Sequence, residues 1–283
     1  MLHGANSKIK NLLKWRLLNN MITLHASTLP SYCDCPRRAL LRIIPQELPY
    51  TFPRSRQNIA SLVGTGFHAG AGYIMAGKLS GETASQSNAE EISITTMQEK
   101  IASDHTEYDA TTPTANAAQQ QIRTILNCFI HQAEPTIIPA LPPEYSRRAK
   151  LTDEIEISGR IDTESTGAGI IDYKTGMLRN HFGQMGVYSL LRKTESESAS
   201  RLSIWHFPRV PVKKPYPGAA LINYPVPACE KIAWATIGFI LRDINRFRKT
   251  GDPNSVPCNP CSVLCSGKYC QAWGTEFCEV TIK

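Results

Sequence analysis

Asp162, Asp172 and Lys174 fall within one short stretch, GRIDTESTGAGIIDYKTG, running from Gly159 to Gly176. Two carboxylates and an amine at this spacing could do hydrolytic chemistry. Side chains two apart on a strand share a face, so Asp172 and Lys174 project together, and pairing with a preceding strand would bring Asp162 alongside. Carboxylates gathered in this way repel unless a divalent cation neutralises them, which suits a hard ion such as Mg²⁺ or Mn²⁺. A lysine beside that ion can orient or deprotonate an attacking water and offset charge on a phosphate oxygen, so the reaction class is phosphodiester hydrolysis. The same residues would equally suit an exposed hairpin with an ordinary Asp–Lys pair.

The elements that must hold these groups are partly legible. Ile155, Ile157 and Ile161 alternate as in a strand, Gly167 and Gly169 supply a turn, and Ile170 and Ile171 begin a second strand. Downstream, Gln184 and Tyr188 lie one helical turn apart on one face. Upstream, GTGFHAGAGYIMAG from Gly64 reads as a helix with Phe67, Ala71 and Ile74 on its apolar stripe and His68 beside it. A lone histidine there is ordinarily a satisfied core or surface residue. Small residues Ala69, Gly70 and Gly72 would let that helix approach a neighbour closely. Residues 27–44 read as one helix with Pro36 in its first turn. The acidic, Ser/Thr-rich segment 81–116 reads as an exposed insertion or loop, and residues 116–131 as a helix. Residues 201–207 read as a strand, the Pro-rich 208–227 as a connecting loop, and 231–247 as a long helix.

The chain has 283 residues, 42% hydrophobic and 19% charged, with a net charge of +7, so a sizeable core is assured and a polyanionic partner permitted. Residues 201–250 carry nine Lys or Arg against two acids, a stretch that could present a basic face to a phosphate backbone. No apolar run approaches the roughly 20 residues that span a bilayer, which implies a soluble, cytoplasmic protein with no membrane partner. Residues 1–26 read as an N-terminal extension, with a basic amphipathic helix at 7–18. Residues 27–283 read as one domain ending in a cysteine-rich segment, 258–278. Five of nine cysteines, Cys258, Cys261, Cys265, Cys270 and Cys278, crowd the last 26 residues, and Cys33 and Cys35 lie near the start. In a reducing compartment such clustering indicates a metal centre, either zinc or iron–sulfur.

Taken in order, His68, Asp162, the run Asp172-Tyr173-Lys174 and Gln184-x-x-x-Tyr188 resemble RecB-type nucleases of the PD-(D/E)XK superfamily. Tyr32-x-x-Cys35-Pro36-Arg37 and the tail LCSGKYCQAW are similar to AddB-type, CRISPR-associated and phage-type exonucleases. The resemblance implies an α/β restriction-endonuclease-like fold, with a central mixed sheet flanked by helices and the cysteine cluster joining the termini. It implies a divalent ion on His68, Asp162, Asp172 and the Tyr173 carbonyl, with Lys174 catalytic and Gln184 and Tyr188 contacting or positioning DNA. It further implies a structural 4Fe-4S cluster, on Cys35, Cys265, Cys270 and Cys278, with Cys258, Cys261 or Cys33 as substitutes. The activity implied is a metal-dependent exonuclease acting on DNA ends or single strands in recombination or repair. Without a G-x-x-x-x-G-K-[ST] loop, any ATP-driven step would need a helicase or recombination partner; a homo-oligomer is compatible. The rival readings are a sequence- or structure-selective endonuclease of the same fold, and a non-catalytic DNA-binding module supported by its cysteine centre.

Overall fold

Six residues of regular alternation, Glu156, Ser158 and Arg160 against Ile155, Ile157 and Ile161, require a strand with one apolar and one polar face, and the rest of the fold covers the apolar one. The computed structural model describes residues 21–48, 52, 57–103 and 105–281; the helix read at 7–18 lies outside them. The chain begins with β1 (Ile22–His25), so these residues, read as extension, form a strand of the fold. Two helices follow, α1 (Thr28–Asp34) and α2 (Pro36–Ile43), in place of the one expected. They break at Cys35, whose backbone is extended (φ −153°, ψ 103°). Proline disfavours a helical predecessor and then starts the next helix at its first position, so Cys35-Pro36 writes the break into the sequence.

After β2 (Gln57–Asn58) comes α3 (Ile59–Ser80), capped by the Asn58 side chain and ended by Gly81 at φ 78°. The segment expected as loop instead contains α4 (Gln86–Ser103). Its polarity is that of an outer helix face, while Ala89, Ser93 and Met97 are buried against α3. Gly66 and Gly70 of α3 make this contact close, because a Cβ at either would collide with Ser93. Then follow β3 (Thr106–Glu107) and α5 (Ala115–Cys128).

The remaining elements are β4 (Tyr145–Lys150), β5 (Ile155–Ile161), β6 (Thr163–Ser165), β7 (Gly169–Thr175), α6 (Phe182–Lys193), β8 (Arg201–Phe207), β9 (Ala220–Tyr224) and α7 (Val226–Thr250). β9 lies inside the segment read as a Pro-rich loop. In place of one central sheet there are two mixed sheets: β1-β5-β4, with β1 parallel to β5, and β6-β7-β8-β9, with β7 parallel to β8. The chain crosses from the first sheet to the second at Asp162, between β5 and β6.

Apolar residues pack on both faces of the second sheet. Ile170, Leu202 and Ile204 belong to a core shared with α1, α2, α6 and α7, whereas Ile171, Tyr173, Trp205 and Phe207 belong to one shared with α3, α4 and α5. Helix α6 is buried along nearly its whole length, and Gly186 lets α7 approach so closely that a Cβ there would strike the Cys229 carbonyl. The cysteine-rich tail packs on α1 and α2. Arg37 donates to the Val256 carbonyl (3.0 Å) and to Asn254 (2.9 Å), and Asn259 donates to the Asp34 carbonyl (2.9 Å). No helix among the described residues is long and apolar enough to cross a membrane.

Candidate active site

Asp162 is held at the crossing point between the sheets from two directions. Its Oδ2 accepts the Tyr173 N–H at 2.6 Å, and its Oδ1 lies 3.1 Å from Nδ1 of His68, which α3 brings over the sheet edge. On β7, Asp172 and Lys174 share the face of Ile170, opposite Tyr173, whose ring is buried among Phe67, Phe129 and Phe207. The Lys174 Nζ lies 2.6 Å from the buried Asp172 Oδ2, an ion pair that is this oxygen's sole close partner among the described residues. The other oxygen, Oδ1, accepts from Gln184 Nε2 (3.1 Å) and from the Tyr188 hydroxyl (3.3 Å). His68, Asp162, Asp172, Lys174, Gln184 and Tyr188 line one cleft of about 620 Å³.

Gln184 and Tyr188 therefore touch Asp172. The single Tyr188 hydroxyl proton is shared between Asp172 Oδ1 and the Arg160 carbonyl, 3.0 Å away, and the hydroxyl oxygen accepts from Gln184 Nε2 at 2.9 Å. Since the Gln184 amide nitrogen donates to both partners, its oxygen faces His181 Nδ1, 3.1 Å away, which must carry a proton. Burial, with Lys174 nearby, pushes His181 down to about 4, so the neutral ring with that tautomer persists across the physiological range. Helix α6 thus acts on the carboxylate through side chains that are themselves fixed. Tyr188→Phe leaves Asp172 Oδ1 with Gln184 alone; it is expected to lower turnover and Mn²⁺ affinity by about 10–100-fold, read from single-turnover cleavage and calorimetric titration. A change in neither would mean that the hydroxyl serves only the Arg160 carbonyl.

The electrostatics favour a cation. Burial raises the Asp172 carboxyl above the usual range, opposed by Lys174 and reinforced by Asp162. Asp162 is also buried, but His68, Lys174 and the Tyr173 N–H outweigh that and hold its carboxyl below the usual range. A divalent ion would relieve the burial of both carboxylates and share Asp172 Oδ2 with Lys174. The donor set is hard oxygen plus one imidazole, which fits Mg²⁺ or Mn²⁺.

A further donor escaped the sequence reading. Glu144 precedes β4 with a left-handed backbone (φ 57°), its N–H donates to the Asp162 carbonyl at 3.0 Å, and its carboxylate pairs with Arg160 at 3.0 Å. Ligand atoms of His68, Glu144 and Asp162 all lie within 4.8 Å of one another, a group that does not include Asp172. Nothing local marks Glu144; only the pairing of β4 with β5 places it opposite Asp162. Glu144→Gln is expected to weaken Mn²⁺ binding by about 10–100-fold in a calorimetric titration. An unchanged affinity would leave Glu144 as the partner of Arg160 alone.

The nine basic residues of 201–250 do not line the cleft. Arg209 is taken by Asp109 (2.7 Å) and Arg248 by Glu47 (2.7 Å). The cations that do line it are Arg147, Arg148, Arg160 and Lys174.

Away from the cleft, Cys35, Cys258, Cys265, Cys270 and Cys278 line one small cavity between α2 and the tail. Cys33 instead lies 4.0 Å from Thr236 of α7, and Cys261 is exposed. Burial, with the thiols of Cys278, Cys35 and Cys258 close by, pushes Cys265 up. Burial also raises Cys270, against the Ala272 N–H directed at its sulfur.

The sequence profile of the PD-(D/E)XK nuclease superfamily matches residues 23–271. A crystal structure from Eubacterium rectale, of a protein provisionally designated an exonuclease, aligns over 86% of this chain and 86% of its own, with TM-score 0.51 and 11% identity, a likeness of fold alone. The protein SSO0001 aligns over 74% of this chain and 83% of its own at 13% identity, with TM-score 0.27, too low to bear on the argument. No curated protein matches the sequence.

Proposed function

The chain belongs to the PD-(D/E)XK nuclease superfamily, and from that premise we propose that it is a Mg²⁺- or Mn²⁺-dependent deoxyribonuclease that degrades DNA from ends or single strands. The observation that carries this reading is the pair of buried carboxylates, Asp162 and Asp172, converging with Lys174 in one open cleft. When bound, the cation supplies Lewis-acid charge and an acidified water. His68, Asp162, Asp172 and the Tyr173 carbonyl would hold it, with Glu144 as an added donor. Lys174 orients the water and takes up charge on the phosphate oxygen, while Gln184 and Tyr188 keep Asp172 in place. Exonuclease action is supported by the fold shared with the Eubacterium rectale protein, and a role in recombination or repair beside a helicase accords with it.

The test is degradation of end-labelled linear DNA and closed circular DNA with Mg²⁺ or Mn²⁺. Loss of linear DNA alone is the expected result. Cutting of the circle would make the enzyme an endonuclease of the same fold, and binding without cleavage under either metal would sink the nuclease reading.

The five-thiol cavity fits a 4Fe-4S cluster by its donor set, and Cys35, Cys265, Cys270 and Cys278, or Cys258 in place of one of them, would ligate it as a structural staple between α2 and the tail. Anaerobically purified protein is expected to absorb at about 400 nm, and Cys35→Ser to lose that band and lower the unfolding temperature. Zinc without iron in elemental analysis would replace the cluster by a zinc site.

A further inference from the structure

Asp162, directly after β5, continues the alternation of that strand's cleft-facing side chains. The alternation that buries Ile155, Ile157 and Ile161 turns Glu156, Ser158 and Arg160 to the opposite face. Gly159 interrupts the apolar side because the Tyr188 ring occupies the space of a Cβ, 2.7 Å away. β5 is the central strand of its sheet, so the neighbours in register complete rows across that face. His25 and Arg148 flank Ser158, and Ser146 flanks Arg160. His25 lies within 2.6 Å of the Ser158 hydroxyl, and all five of these residues line the same cleft as Asp162 and Lys174.

Successive rows are two residues apart, about 6.6–6.8 Å along the strand, comparable to the separation of consecutive phosphates in an extended single strand. The Arg148 and Arg160 side chains are 64% and 61% exposed. Each is held by one carboxylate, Glu156 at 3.2 Å and Glu144 at 3.0 Å, leaving most of its five donors free. The opposite wall of the cleft, from α3, offers only the small residues Ser61, Gly64 and Thr65 ahead of His68. One row further from the site stand Thr23 and Glu156, hydrogen-bonded to each other at 3.1 Å, with Lys150 in register beside them; the acid there closes the basic path.

Resting on the nuclease reading, we infer that the exposed face of β1-β5-β4 is a phosphate track for one extended DNA strand. The Arg160–Ser146 row receives the phosphate next to the scissile one, and the His25–Ser158–Arg148 row the phosphate after it. The track carries guanidinium, hydroxyl and imidazole donors and no aromatic platform, so it holds backbone without reading bases. It takes a single strand because its rows follow one β-strand direction.

The experiment measures binding of a fluorescein-labelled single-stranded oligonucleotide by anisotropy across a salt series, in protein carrying Lys174→Met so that the probe survives. Arg148→Ala, far from the core, is expected to weaken binding several-fold and to reduce the salt slope by about 0.7, the value for one lost phosphate contact on a single strand. The double variant His25→Ala/Ser158→Ala is expected to weaken binding further, and Lys213→Ala/Lys214→Ala, outside the cleft, to leave it unchanged. Unchanged affinity and slope in Arg148→Ala, or an equal loss in the Lys213/Lys214 control, would overturn the track. A blunt duplex of the same sequence that bound more tightly and lost as much on Arg148→Ala would overturn the single-strand assignment. If the unsubstituted protein cleaves DNA while the track variants bind normally, only this inference fails. If it neither binds nor cleaves, the nuclease reading fails with it.

Discussion

Lys174→Met is expected to slow loss of end-labelled linear DNA by roughly 10²–10³-fold, the scale on which a preorganised charge acts on a transition state, while Mn²⁺ binding survives. Methionine keeps the unbranched apolar stem on β7, so the local packing is retained and only the ammonium is lost. That ammonium sits 2.6 Å from Asp172 Oδ2, the atom that the cation would take. Removing it takes away a competitor for that oxygen, so Mn²⁺ affinity should hold or rise. Asp172→Asn, in contrast, is expected to abolish both cleavage and tight Mn²⁺ binding, because the amide replaces the one carboxylate that β7, Gln184 and Tyr188 together aim into the cleft. The pair separates catalytic from metal-holding roles: equal loss of metal in both variants would make Lys174 structural, and wild-type cleavage by Lys174→Met would remove it from the chemistry.

These particular residues were legible because their information is local. Asp172 and Lys174 two apart, Gln184 and Tyr188 four apart, and His68 on a helical stripe each carry a periodicity that fixes a shared face before any tertiary contact is known. What escaped depends on partners distant in sequence. Glu144 approaches Asp162 only through the β4–β5 register. Residues 22–25 become a strand only because β5 offers a parallel edge. Helix α4 looks like a loop because its buried face is small, Ala89, Ser93 and Met97, and the glycines that receive it are on α3. The basic stretch 201–250 misled for a related reason: counting charge along the chain ignores that Asp109 and Glu47, far away in sequence, neutralise Arg209 and Arg248. The cations that do reach the cleft come from three separate strands, Arg147 and Arg148 on β4, Arg160 on β5 and Lys174 on β7, where a window count dilutes them.

Glu164 is expected to be the costliest single side chain to remove for stability. It follows Asp162 by two residues on β6 and is 2% exposed. Its carboxylate receives Arg147 through Nε (2.9 Å) and Nη2 (3.2 Å) and pairs with Arg192 Nη1 at 3.0 Å. Glu195 and Glu197 also touch the two guanidinium groups, but from half-exposed positions where solvent screens them. Glu164→Ala therefore strands two buried cations, a change that costs about 3–5 kcal/mol in a protein whose whole stability is on the order of 5–15 kcal/mol. The urea midpoint should fall with the slope of the transition unchanged, because the surface exposed on unfolding is the same. Asp162 lies next to this strand and should lose its fixed position as β6 loosens, so Mn²⁺ affinity should fall as well. Desolvating three charges is itself expensive, so the triple variant Arg147→Met/Glu164→Leu/Arg192→Leu should recover most of the lost stability. A loss below about 1 kcal/mol in Glu164→Ala would mean that the rim glutamates suffice; failure of the triple variant to recover would mean that the ion cluster shapes β4 and β6 in a way that apolar packing cannot replace.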